Sequence, residues 1–180
     1  MMNKGTKWAL IVTFVMLVAF VFLALYAMKT ALPKARWIKT TSNGQKIGQA
    51  LLAYAEANQG EMPSADAWRE TLISQHYAEQ ELFWSARAIN SRWDVESRSD
   101  FAFIDGWTAA RLRAAGIRSA DQVLLIEHPA NVHPSMTRNN DLVIVMFDGT
   151  VKTLPRQEVV NLLAAIRTGD GKPVTWEGKK

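Results

Sequence analysis

Two histidines flank a short loop in the second half of the chain, HPANVH, at positions 128 and 133. Imidazole nitrogens and carboxylate oxygens are common zinc ligands, and Glu127 and Asp141 are the nearest carboxylates along the chain. A loop containing Pro129 fixes no geometry for the two histidines, unlike a pair one helical turn apart, so a solvated loop is the simpler interpretation. We therefore predict no metal and no cofactor. His128 and His133 are the ligands to test if a metal is found.

Three carboxylates, Asp105, Glu127 and Asp148, could serve general acid–base chemistry, which needs paired groups with different pKa values. Asp105 and Asp148 each precede a glycine, a sequence typical of turns, so turn formation explains them with fewer assumptions. The chain has no cysteine, which excludes thiol catalysis and cysteine-ligated metals. It also lacks the GxSxG, Walker, HExxH and GxGxxG motifs. We therefore predict that the protein is not an enzyme.

Arginines and tryptophans alternate between residues 84 and 98, a pattern that could bind nucleic acid by phosphate pairing and base stacking. They are Trp84, Arg87, Arg92, Trp93 and Arg98. Three carboxylates between residues 94 and 100 reduce the positive charge, which favours a solvated loop with tryptophans that belong to the core. We predict no nucleic-acid partner.

The elements that must position these side chains begin with an apolar stretch at residues 8–28, which contains no charged side chain. As a helix it would span roughly 30 Å, the thickness of the hydrocarbon core of a bilayer. Trp8 and Tyr26 lie near its ends, where amphipathic rings favour the headgroup level. A cleaved signal peptide is the alternative, but Ala24 and Ala27 lack a small residue two positions upstream. We predict a short basic leader at 1–7 and a retained transmembrane helix at 8–28.

The charges that flank the apolar stretch bear on its orientation. Two lysines precede it, at positions 4 and 7, and four basic residues follow it, at 29, 34, 36 and 39. By the positive-inside rule this count favours a cytoplasmic domain after the span. Beside a membrane, the basic residues would form a collar that contacts lipid headgroups.

Residues 29–60 are predicted to form a basic exit and then an amphipathic helix that continues the anchor. Pro33 would kink the helix as it leaves the bilayer. Ser42 or Asn43 would cap the amphipathic part, and Gly60 would end it. The residues that recur at helical spacing and predict its packing face are Ile47, Leu51 and Tyr54.

The remaining chain predicts an α+β fold, with a small domain at 61–168. A short helix is expected at 64–74, and residues 77–90 are ambiguous between helix and loop. Four runs then have the composition of strands: 101–104, 123–127, 142–147 and 150–154.

The pair Asp148-Gly149 separates the last two runs and predicts a hairpin with a type I′ turn, in which both residues have positive φ. The nearly continuous run LVIVMF suits a central strand, whereas TVKTL alternates and suits a half-exposed one. A closing helix from Pro155 or Arg156 to Arg167 follows. Residues 169–180 form a polar tail. The predicted fold is therefore a long N-terminal transmembrane helix followed by a small antiparallel sheet with short helices.

Several segments carry a family resemblance. A basic leader with Gly5 precedes the apolar helix, and NGQKIGQALLAYAEANQGEMPSADAWRETL leads from a helix into a loop. FAFIDGW and QVLLIEHP supply middle strands, and DLVIVMFDGTVKTLPRQEVVNLL supplies the terminal hairpin and helix. Together they resemble pilin-like proteins of the type II secretion pseudopilin class. The resemblance implies a pilin-like domain in the periplasm, an anchor in the bacterial inner membrane, and other pilin-like subunits or secretion-system proteins as partners.

The family pattern has phenylalanine after the processed glycine and glutamate at the fifth position after it, where this chain has Thr6 and Leu10. Two hypotheses follow. In one, the chain is processed between Gly5 and Thr6 and polymerises as a non-enzymatic subunit, with Gly44 and Gly48 allowing close helix approach. In the other, it is a membrane-tethered periplasmic binding module that is neither processed nor polymerised.

Overall fold

The computed structural model describes residues 4–84, 100–127, 141–169 and 171. Their elements, in chain order, are helix α1 (Lys4–Ala57), helix α2 (Trp68–Ser74), a 3₁₀ helix (Gln80–Phe83), strand β1 (Phe101–Phe103), helix α3 (Ala109–Ala114), strands β2 (Val123–Glu127), β3 (Asp141–Met146) and β4 (Val151–Pro155), and helix α4 (Arg156–Ala165). The chain divides into two compact units, Met1–Ala35 and Arg36–Lys180. The second part of α1 therefore belongs to the globular unit, together with the strands and the short helices.

Helix α1 runs without interruption through the positions predicted to cap it. Pro33 lies inside the helix. The predicted N-cap at Ser42 or Asn43 is wrong, because the amide of Asn43 does not bond the start of a helix but donates to the carbonyl of Trp84 at 3.0 Å. At the other end, Gln59 takes the left-handed conformation with φ 58°, and the amide of Gly60 donates to the carbonyl of Ala55 at 2.7 Å. The helix thus ends at Ala57, and its left-handed terminating residue is Gln59, one position before the predicted glycine.

The four predicted strands form one antiparallel sheet in the order β1-β2-β3-β4, which confirms the α+β prediction. Neighbours in sequence are neighbours in the sheet. All residues of β2 are buried, and so are all but the first of β3, as expected for central strands. β4 lies at an edge and its residues are exposed or half-buried, as predicted for a half-exposed strand. The sheet therefore has two faces to cover.

Helices cover both faces of the sheet. Val143 and Val145 of β3 point toward the second part of α1. The alternate residues of β3, Leu142, Ile144 and Met146, belong to a second cluster with Val159 of α4. The period-two alternation of a strand thus divides one apolar run between two helices, so that the domain has three layers.

Gly44 and Gly48 bring α1 close to the sheet. A Cβ atom on Gly44 would lie 3.2 Å from Cε1 of Phe101, and one on Gly48 would lie 2.7 Å from Cγ1 of Val145. Both glycines are therefore needed where the helix backbone approaches strand side chains. This contact differs from the predicted role of the pair, since the glycines face β1 and β3 and not a neighbouring helix.

The predicted packing face of α1 lies inside the domain. Ile47 and Leu51 are fully buried in the main core cluster. Tyr54 is partly buried and packs its ring edge-on against Tyr77, with ring centroids 5.7 Å apart. The helical spacing of these residues correctly located the face that contacts the domain.

Short helices close the same side of the core. α2 begins at Trp68, four residues later than predicted, and the Trp68 ring packs against Phe83 and Phe103 at centroid distances of 5.2 and 5.5 Å. The ambiguous segment contains the 3₁₀ helix that supplies Phe83. Helix α3 was not predicted from the sequence. Its start is capped by the hydroxyl of Thr108, which accepts from the amide of Arg111 at 3.2 Å.

The β3–β4 hairpin forms at the predicted Asp-Gly pair, but its turn is of another type. Only Gly149 has positive φ, at 82°, and its amide donates to the carbonyl of Met146 at 2.9 Å. The amide of Met146 in turn donates to the carbonyl of Thr150. A three-residue loop, 147–149, therefore joins the strands, as in a type I turn followed by a left-handed glycine. The type I′ prediction is wrong because Asp148 does not adopt positive φ.

Replacing Gly48 with alanine should reduce the free energy of unfolding by about 1–3 kcal/mol, because a stiff valine in a packed core must shift to admit the new methyl group. Urea unfolding of the full chain in detergent, followed by near-ultraviolet circular dichroism, would measure this. Gln49→Ala, at an exposed neighbouring position, is the control and should be close to neutral. In a Val145→Ala background the Gly48→Ala penalty should disappear. An undiminished penalty there would contradict the contact.

Replacing Gly149 with valine should destabilise the hairpin by about 1–2 kcal/mol, because a β-branched residue is strained at positive φ. Asparagine tolerates this conformation, so Gly149→Asn is the matched control and should cost clearly less. Thermal melting of the full chain in detergent compares the two variants. Equal melting temperatures would argue against the left-handed turn.

Candidate functional site

The first part of α1 presents an apolar surface that nothing in its own unit covers. From Ile11 to Met28, its large apolar side chains are between 37% and 70% exposed. Within the described residues, α1 alone is long and apolar enough to cross a membrane, and its most apolar stretch is entirely unburied. An apolar surface of this extent is unfavourable in water. This segment is therefore a candidate membrane span near the N-terminus.

The predicted processing residues, Gly5 and Thr6, lie in the first turns of α1. Gly5 is exposed, and a Cβ atom there would meet no other atom within 4 Å. The glycine is thus not required by packing, in contrast to Gly44 and Gly48.

A cleft of about 650 Å³ lies in the globular unit, between α1 and the segment that follows α2. Its polar lining comes from Lys46 and Gln49 on one side and from His76 and Glu79 on the other. His76 has positive φ, at 62°, because it terminates α2: the amide of the next residue, Tyr77, donates to the carbonyl of Leu72 at 2.8 Å. This is the hydrogen bond of a Schellman cap, so helix termination accounts for the unusual backbone of His76.

Glu127 and Asp148, one of the carboxylate pairs considered for acid–base chemistry, are not brought together. Glu127, at the end of β2, is fully buried and accepts from the amide of Val143, near the start of β3, at 3.0 Å. Asp148 follows the end of β3, at the opposite end of the same antiparallel strands. At about 3.4 Å per residue these ends are more than 10 Å apart. Glu127 and Asp148 therefore cannot act on one reacting group.

Asp105 has a structural contact of its own. Its backbone carbonyl accepts from the amide of Gly169 at 3.0 Å, while the Trp107 indole donates to the carbonyl of Arg167 at 3.2 Å. A Cβ atom on Gly169 would overlap the carbonyl of Gly106. These contacts join the segment after α4 to the loop after β1.

Other candidate residues are only partly within the structure. His128, His133, the three arginines of the 84–98 segment, Trp93 and the polar tail after residue 171 lie outside the described residues. Among residues that the structure does describe, no group of three or more histidine, aspartate or glutamate side chains could hold a metal ion. Trp84 is partly buried and packs against the main core cluster, and its backbone carbonyl accepts from the amide of Asn43.

Sequence analysis missed the role of Asn43. It is almost fully buried, and its amide bonds the carbonyl of Trp84 at 3.0 Å and that of Glu81 at 3.5 Å. One signal could have indicated it: Asn43 precedes Ile47 and Leu51 by four and eight residues, so it is a polar residue on the apolar stripe of the helix.

Asp148 has a structural role in the hairpin. Its Oδ1 accepts from the hydroxyl of Thr150 at 2.7 Å and from the Thr150 amide at 2.9 Å. These hydrogen bonds favour the charged form and hold the pKa of Asp148 below its usual value. A low pKa suits a turn residue that accepts hydrogen bonds, but not a general acid at neutral pH.

No protein-family model, no curated protein and no solved structure matches the chain.

The contribution of Asp148 to stability should depend on pH. Because its folded pKa is lowered, the carboxylate stabilises the fold above its unfolded pKa of about 3.9, and this contribution is lost as the pH falls through the lower folded value. Urea unfolding of the wild type and of Asp148→Asn, measured from neutral to strongly acidic pH, should give a difference that is constant near neutrality and vanishes in acid. Thr150→Val should reduce this difference, since it removes the hydroxyl donor. A difference that grew in acid would contradict the assignment.

Proposed function

We propose that the protein is a non-enzymatic, single-pass membrane subunit of the pilin-like type, belonging to a type II secretion or type IV pilus-like assembly. One observation carries the proposal: a single helix contains the exposed apolar segment and also the stripe that packs on an antiparallel sheet ending in a hairpin. A pilin-like subunit needs this combination, since one helix must meet lipid or neighbouring helices and also hold its own domain.

The composition of the apolar segment supports assembly through packing. Inside a bilayer, helices associate through van der Waals contact and through polar groups between them. An exposed apolar helix can therefore replace its contacts with lipid by contacts with other copies of the chain at a small cost in free energy. Such a subunit acts by packing, and it needs no catalytic residues.

A second function is favoured by two residues. Thr6 and Leu10 stand where the family pattern has phenylalanine and glutamate. In that pattern the glutamate is thought to pair with the N-terminal amine of a neighbour, and leucine cannot do so. The alternative is a membrane-tethered periplasmic module that is neither processed nor polymerised.

The orientation follows from the resemblance in this proposal, with the N-terminus in the cytoplasm and the domain in the periplasm of a bacterial inner membrane. The flanking charges favour the opposite arrangement. Activity of a periplasm-only reporter fused after Lys180 would support the periplasmic orientation, and an inactive reporter would support the cytoplasmic one.

Two measurements on the protein from its native membrane test the proposal. The first is the intact mass and N-terminal sequence: a filament subunit is expected to begin at Thr6, and Gly5→Leu should abolish this cleavage. Ala57→Leu, at an exposed position outside the leader, is the control and should leave the N-terminus unchanged. A wild-type N-terminus at Met1 or Met2 would favour the tethered module.

The second measurement uses the lack of native cysteine. Single cysteines are placed in turn at Val15, Met16, Leu17 and Val18, all exposed on α1, so that every face of the helix is sampled. Specific packing between copies should give oxidative cross-links that vary with helical period along this series. Thr153→Cys, on the edge strand, is a control for random collision. Cross-linking no stronger than that control at all four positions would exclude polymerisation through this segment.

A further inference from the structure

Charge is distributed very unevenly along the chain. Residues 1–55 contain seven Lys and Arg and no acidic residue, and the first carboxylate of the sequence is Glu56. The remaining residues contain 14 Lys and Arg against 17 Asp and Glu. The net charge of +4 therefore conceals a strongly positive helix joined to a slightly negative domain, an asymmetry typical of contact with an anionic surface.

One turn of α1, Arg36–Lys39, combines this charge with exposed apolar surface inside the globular unit. Trp37 is 38% exposed and Ile38 is 52% exposed. Lys39 is exposed and Arg36 is partly exposed. This basic turn thus places two cations beside an indole and an aliphatic side chain. Tryptophan is enriched at the interface between lipid and water, and basic residues are frequent in the segments that flank membrane spans.

We propose that the basic turn binds the headgroups of anionic phospholipids in the leaflet where the span ends. The inference rests on the proposed membrane anchorage and names the class of lipid that the anchor selects. The observations behind it are the charge of the turn, the exposure of its side chains, and the short stretch of chain that separates it from the apolar segment.

The length of that stretch puts the cations within electrostatic reach of the membrane. Arg36 follows Met28, the last residue of the apolar segment, by eight residues, which cover about 12 Å as helix. A headgroup layer is roughly 5–8 Å thick on each side of the hydrocarbon core. For Arg36 the remaining gap is less than the Debye length of about 8 Å at physiological salt. For Lys39, one turn further along the helix, it is about 9–12 Å, slightly more than one Debye length. Helical side chains also lean toward the N-terminus of their helix, which for Arg36 and Lys39 is the direction of the membrane.

Lys46 provides the contrast. It is exposed on the same helix and has the same charge, but it follows Met28 by 18 residues, or about 27 Å of helix. It therefore lies more than two Debye lengths beyond the headgroups, where attraction to anionic lipid is screened. Neutralising Lys46 changes the net charge as much as neutralising Lys39 does, without changing the basic turn.

The experiment measures which lipids stay bound to the full chain. The protein is purified from mixed micelles containing equal amounts of phosphatidylglycerol and phosphatidylcholine, and the ratio of the two bound lipids is determined by mass spectrometry at low and at high salt. The wild type should retain several-fold more phosphatidylglycerol. Arg36→Gln and Lys39→Gln should each lower this enrichment by up to about fivefold, the effect of one cation near an anionic surface. High salt should lower it as well.

Lys46→Gln should keep the wild-type enrichment. Soluble glycerol phosphate added in excess should not displace the lipid, since the apolar side chains of the turn require a membrane; displacement would assign the site to free phosphate esters. A double variant, Arg36→Gln with Lys39→Gln, that retains full enrichment would overturn the proposal, as would an equal loss in Lys46→Gln.

Thermal melting of each variant checks that it folds. The N-terminal sequence and cross-linking test the assembly proposal separately, because neither depends on the class of bound lipid.

Discussion

The close contact between α1 and the sheet is the interaction on which the rest of the domain depends. At Gly48 the helix backbone comes so near Val145 that no side chain fits between them. This approach lets Ile47 and Leu51, which precede and follow Gly48 along the helix, reach the core and become fully buried. The same helix contains the apolar N-terminal segment. Anchoring of that segment would therefore also tether the domain, because the two are joined by continuous helical backbone.

Buried polar groups add specificity to this packing. Asn43 bonds the carbonyl of Trp84 and so joins α1 to the segment after the 3₁₀ helix, and Glu127 accepts from the backbone of β3. Each is almost or fully buried, and each would be costly to bury without its partner. Asn43 therefore favours one position of α1 against the segment that ends at Trp84, and Glu127 favours one pairing of β2 with β3.

The two surfaces of α1 fit two different surroundings. Its first part is apolar and uncharged from Trp8 to Met28, whereas its second part carries cations on the exposed side and an apolar stripe on the other. The proposed pilin-like function uses the first part for packing in the membrane. The proposed binding of anionic lipid uses the basic turn at the start of the second part. Neither requires a catalytic group. The separation of Glu127 from Asp148 excludes one of the carboxylate pairs that the sequence suggested for acid–base chemistry.

Local patterns in the sequence determined much of this architecture. The apolar span, the helical stripe of Ile47, Leu51 and Tyr54, the four strands and the position of the hairpin all follow from periodicity and composition over short windows, because such patterns reflect which face of an element is buried. α3 was missed because six residues contain too few periods to form a pattern. The charge asymmetry that underlies the proposed lipid contact is also a property of the sequence alone.

Tertiary structure decided the features that depend on residues far apart in the chain. Asn43 has the composition of a helix cap, but a carbonyl 41 residues away provides its partner, so the helix continues through it. Gly44 and Gly48 have the spacing of a helix-packing motif, yet they face a strand about 100 residues later. Glu127 and Asp148 became separate sites through the antiparallel register of β2 and β3. In each case the local sequence allows several partners, and only the packing of distant elements selects one, because burial and hydrogen bonding are satisfied by the whole fold and not by one segment.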